Sequence, residues 1–140
     1  MVWEESPEAF WERFAEHAVG VELMPLPANA VVLEVVTPQG VLYPFDRGAP
    51  PPPSGRAEVV LHAVVSSFRH LTRRPGLQRE EGGRHLVWGR VLRDLGDGFY
   101  LVNAGLPLVL ASAEPLEVGA DLELRTEPPL MAFRDEGSAD

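Results

Sequence analysis

The chain has 140 residues, 45% of them apolar, a formal charge of −9, and neither cysteine nor lysine. That length and hydrophobicity suit one domain, and the overall acidity disfavours non-specific attraction to nucleic acid or anionic lipid. The missing residue types exclude disulfides, thiolate nucleophiles, cysteine zinc sites, Schiff-base lysines and the lysine of a phosphate-binding loop.

Isoleucine is absent too, while Ala, Gly, Pro and Arg are abundant. A GC-rich, bacterial or heat-adapted source accounts for that bias and for arginine replacing lysine. Met1 to Glu5 lacks the basic-then-apolar pattern of a secretory leader, and no apolar run reaches the roughly 20 residues of a membrane span. The expected location is cytoplasmic.

A first helix is predicted from Ser6 to about Gly20. Ser6 caps it, Pro7 suits the first turn, and Phe10, Trp11, Phe14, Ala15 and Ala18 recur on one face. Glu8, Glu12 and Glu16 run along its edge, with Glu4 one step before. Ala30 to Val36 alternates, placing Val31, Leu33 and Val35 opposite Glu34. The turn Thr37-Pro38-Gln39-Gly40 then leads into Val41, Tyr43 and Phe45, which share a face and complete a hairpin. Val21 to Leu26 adds an edge strand, since Pro25 and Pro27 follow closely.

Residues 46–55, with four consecutive prolines, form a stiff connector. A second helix is expected over 56–72, where Val60, Leu61, Val64, Val65, Phe68 and Leu71 give a broad apolar face and Pro75-Gly76 a stop. Five short strands follow: Leu86 to Arg93 with curvature at Gly89, Phe99 to Ala104 after a turn near Gly96-Asp97, Leu108 to Ala111, Asp121 to Arg125, and Leu130 to Phe133. The expected fold class is α+β, with two helices packed on antiparallel meanders and the C-terminal half a small five-stranded, barrel-like sheet. The organisation is a helix and hairpin subdomain (1–45), the connector (46–55), a helix plus sheet (56–134) sharing one core, and an acidic tail (135–140).

Seven of the twelve arginines lie between positions 69 and 93, against only Glu80 and Glu81, a local excess of +5. The remaining five arginines face nineteen acids, −14 in total. Arg69, Arg73, Arg74, Arg79, Arg84 and Arg90 are therefore the candidate ligand- or partner-binding residues, unless the window instead holds the Glu8-Glu12-Glu16 stripe.

Catalytic constellations are weaker. His17, His62, His70 and His85 lack the one-turn spacing of a helical metal pair. Asp94 and Asp97 fit turn chemistry as well as a paired-carboxylate site. Ser66-Ser67 lacks a nucleophile elbow. Trp88, Phe99 and Tyr100 beside arginines resemble a single-strand platform, but small sheets use such aromatics as core.

The expected function is a non-catalytic binding or assembly module without cofactor or metal. Its partner is a protein or a second copy, and no membrane is involved. The alternatives are nucleic-acid or phosphate-ligand binding through the arginine window, and a small His/carboxylate enzyme.

Overall fold

Ser6 does start the helix: its Oγ accepts a hydrogen bond from Ala9 N at 3.1 Å, and Pro7 opens the first turn. The computed structural model describes residues 6–135, so Glu4 and the acidic tail beyond Asp135 lie outside the described residues. Helix α1 spans Pro7–Phe14, and a short 3-10 turn, Ala15–His17, ends the helical stretch before Gly20. Its buried residues are Phe10 and Phe14.

The rest is strand. In chain order these are β1 (Val19–Leu23), β2 (Val35–Thr37), β3 (Gly40–Leu42), β4 (Phe45–Asp46), β5 (Gly55–His70), β6 (Gly76–Arg79), β7 (His85–Gly96), β8 (Phe99–Asn103), β9 (Pro107–Ala111) and β10 (Asp121–Arg134). They form one sheet in the order β3-β2-β1-β5-β9-β8-β7-β10-β4, with β6 added on β7. A further β5–β10 pairing closes β5, β9, β8, β7 and β10 into a ring.

Two expectations are corrected here. The second helix does not exist: residues 56–72 are mostly the sixteen-residue strand β5. Val59, Leu61, Ala63 and Val65 face the larger core, while Val60 faces the smaller cluster beneath α1. Burial on both faces makes the segment continuously apolar, and such a run has no strand-like alternation to separate it from a helix. The β-branched Val59, Val60, Val64 and Val65 favour the strand. Consequently the fold is strand-rich with a single short helix, not two helices on meanders.

The ring is also not the barrel-like sheet expected from the C-terminal half. It recruits β5 from upstream, through a parallel pairing to β9 at His62↔Val109. The segments 121–125 and 130–133 are one bulged strand, not two. Likewise β1 is no edge, because it pairs with β2 on one side and β5 on the other.

Period-two alternation distributes the ring's side chains between two clusters. Leu108, Leu110, Tyr100, Val102 and Ala132 join the larger one with Leu23, Leu33, Val35 and Leu42. Val109, Ala111, Phe99 and Phe133 turn the other way and meet Phe10 and Phe14. Phe10 stacks on Phe133 with centroids 4.0 Å apart. Helix α1 therefore covers one patch of the ring's outer surface.

The predicted hairpin is present. Val35↔Leu42, Val36↔Val41 and Thr37↔Gly40 share their register with the bridge Val32↔Phe45. Leu33 N donates to Pro44 O and Asp46 N to Val31 O, each at 2.8 Å, so one register runs from 31 to 46. Thr37 Oγ1 secures the turn, donating to Gly40 O at 2.8 Å and accepting from Gln39 N at 3.0 Å. Leu33, Val35 and Leu42 are buried. Alternation then sends Val32, Val36, Val41, Tyr43 and Phe45 outward.

At the other end of the sheet, Asp97 and Gly98, both at positive φ, form the two-residue turn between β7 and β8. Aspartate followed by glycine suits the primed turns that match strand twist. Gly89 is required by close approach: a Cβ there would collide with the Asn103 carbonyl.

Candidate functional site

Strand alternation decides what the arginine window does. On β10 the buried Leu122 and Leu124 leave Asp121, Glu123 and Arg125 on the outer face. Register then sets Arg69 and Trp88 opposite Glu123, and Arg90 opposite Asp121. Arg69 Nε donates to Glu123 Oε1 at 2.8 Å, and Trp88 Nε1 donates to Oε2 at 2.8 Å. Arg90 grips Asp121 through two hydrogen bonds of 2.9 and 3.1 Å. The Arg69 bond, then the Trp88 bond, hold the Glu123 carboxyl below its ordinary value, and the Arg90 bond lowers Asp121 similarly. Two of the six candidate arginines thus neutralise carboxylates of their own chain.

The Glu8-Glu12-Glu16 stripe is not the partner of Arg69 or Arg73. Arg93 approaches Glu16 at 3.9 Å, and Arg13 of the helix pairs with Asp97 at 2.8 Å. Arg79 lies over the Tyr43 ring at 5.4 Å. Arg84 is exposed and makes no ion pair among the described residues.

Arg73 and Arg74 differ from the rest. The Arg73 guanidinium carbon stands 3.8 Å from the Trp88 ring centroid. Both arginines line a cleft of ≈ 510 Å³ between the hairpin tip, Pro38 and Gln39, and β6, with Gly76, Leu77, Gln78 and Trp88 completing the wall. Among the described residues no carboxylate lines it. The two ends meet where the Gln39 side chain lies against Gly105, at which a Cβ would collide with it, and beside Gly76, at which a Cβ would only touch it. Trp88 and the arginines were candidates in the sequence. Gln39 and Gln78 were not, and nothing local in the sequence marks them.

The histidines are dispersed. His62 is buried beneath α1, 4.9 Å from the Phe10 ring, and its Nδ1 donates to Val109 O at 2.7 Å. Burial pushes its pKa down to about 4. His85 is also buried, its Nδ1 has no hydrogen-bond partner among the described residues, and burial followed by the Arg79 charge lowers its pKa. Among the described residues no three His, Asp or Glu side chains converge to hold a metal ion. Asp94 Oδ1 accepts from Gly96 N at 2.8 Å, so that carboxylate serves the β7–β8 turn.

A second surface feature lies outside the arginine window. Among the described residues, seven of the nine exposed large apolar side chains fall between Met24 and Phe45. Five of them, Val32, Val36, Val41, Tyr43 and Phe45, occupy the outer face of the hairpin, and Val41 and Tyr43 are each 46% exposed. The signal was present, since Val41, Tyr43 and Phe45 alternate, but alternation does not say which face meets solvent. No helix among the described residues is long and apolar enough to cross a membrane. Comparison with protein-family models, curated proteins and solved structures finds no match in any of the three.

Proposed function

We propose that this chain is a non-catalytic assembly module that associates with a second copy of itself through the outer face of the 31–46 hairpin. The observation that carries the reading is the set of five apolar side chains on that one face, in a chain of net charge −9. Contiguous exposed apolar surface of this kind marks interaction sites, and removing it from water drives association. A two-fold axis makes such a face its own complement. Glu34, opposite Tyr43 in the hairpin register, and Arg79, over the Tyr43 ring, place opposite charges beside the stripe. The engagement of Arg69 and Arg90 with Glu123 and Asp121 supports a protein partner over nucleic acid, because those arginines are already neutralised.

Hydrogen exchange read by mass spectrometry at low and high protein concentration tests the proposal. Peptides covering residues 31–46 gain protection at high concentration, while β8 and β9 do not change. Equal exchange of the hairpin at both concentrations overturns it.

A further inference from the structure

We propose that the cleft between the hairpin tip and β6 binds a phosphate group through Arg73 and Arg74. This site adjoins the apolar face at the hairpin tip but does not depend on the assembly reading. It begins with Glu123, whose two oxygens are fixed at 2.8 Å by Arg69 Nε and Trp88 Nε1. The indole is thereby locked in orientation and only 6% exposed. Arg73 lies against that fixed ring at 3.8 Å. Stacking uses the face of a guanidinium and leaves the N–H groups on its rim for a ligand, so this arginine is held in place before anything binds.

Arg74 follows directly, and both line the cleft without an ion pair among the described residues. The Gln78 amide supplies a neutral donor, and the open edge of β6 offers backbone N–H groups. Gly76 keeps that wall low, with only Gln39 near it. In a chain of charge −9, an acid-free cleft carrying two guanidiniums selects an anion. Phosphate, with about −1.5 to −2 charges and three acceptor oxygens on an ester, matches two adjacent forks better than a single carboxylate does. The cleft is open to solvent, and its ≈ 510 Å³ leaves room beyond the phosphate for the rest of an ester.

The test is a titration of the ¹⁵N-labelled full chain with inorganic phosphate, AMP and succinate, followed through the Trp88 indole N–H and the backbone amides of Gly76 and Gln78. Saturable shifts at these positions, with a Kd of about 1 mM or tighter for a phosphate ligand, are expected. Arg73→Gln and Arg74→Gln each weaken binding about tenfold or more, and Arg93→Gln, remote from the cleft, leaves it unchanged. Tighter binding of AMP identifies a phosphate ester as the natural ligand, and tighter binding of inorganic phosphate identifies the free ion. Succinate binding as tightly as phosphate overturns the assignment. So does a non-saturating response, or an equal loss on Arg93→Gln, since either would reflect bulk charge alone.

Discussion

Arg69 and Glu123 face each other across the β5–β10 ladder, their side chains joined at 2.8 Å. The basic window of the sequence is thereby turned against the chain's own acids. Arg90 with Asp121 repeats the arrangement on the β7 side of the same strand.

A measurable consequence is a shallow salt dependence for any contact with single-stranded nucleic acid. With Arg69, Arg90 and Arg93 beside carboxylates, Arg73, Arg74, Arg79 and Arg84 neutralise at most four phosphates, giving a logarithmic slope no steeper than about −2.8, whereas all seven arginines of the window give about −5. Anisotropy titrations of a short oligonucleotide from low to physiological salt separate the two. A slope near −5 would restore the nucleic-acid reading.

Acid stability is expected to fall in two stages. A folded-state pKa of about 4 for His62, against 6.5 when unfolded, means the unfolded chain takes up the proton first. Stability is then full above about pH 6.5, declines toward pH 4, and is no longer changed by this residue below that, a loss of about 3 kcal/mol. His85, also lowered, acts in the same sense. Glu123 and Asp121, with depressed values, add their losses only below the ordinary carboxylate range. Urea unfolding at pH 7 and pH 4.5 should show the first stage, and His62→Phe should flatten it. An unchanged slope in that variant contradicts the assignment.

Phe10 anchors α1, being 1% exposed and in ring contact with Phe14, Phe99, Phe133 and His62. Phe10→Ala is expected to cost about 3–5 kcal/mol in urea unfolding. A cost under about 1 kcal/mol, in the range of a surface substitution, would mean that α1 is only loosely docked.

Arg134 and Asp46, 10% and 4% exposed, form a bidentate pair at 3.1 and 3.0 Å, and the same guanidinium donates to Ala49 O at 2.7 Å. This clamp ties the start of the proline connector to β10. Arg134→Ala strands a buried carboxylate and should cost about 3–5 kcal/mol. The double variant with Asp46→Ala should recover part of that in the same denaturation assay, and simple additivity would argue against direct coupling.

What could be read in the sequence was local. Ser6 and Pro7 define a helix start through groups within three residues, and Asp97-Gly98 defines a turn by backbone preference alone. The hairpin was legible because Thr37 to Gly40 and the alternation flanking it agree. Residues 55–70 were misread because burial on both faces removes the alternation that identifies a strand. The cleft was half legible: Arg73, Arg74 and Trp88 lay in the basic window. Their union with Gln39 depends on a hairpin tip folding over Gly76 and Gly105, which no local pattern encodes. The same holds for Glu123, recognisable as alternating but not as the residue across from Arg69.

The most direct measurement of self-association is sedimentation velocity across protein concentration, on the wild type and on Val41→Glu. The wild type should pass from monomer to dimer, while Val41→Glu should remain monomeric with unchanged far-UV circular dichroism. Val118→Glu, at a 52% exposed position outside the hairpin, should still dimerise. A wild type that is monomeric throughout, or a Val41→Glu protein that dimerises as readily, contradicts the proposed interface.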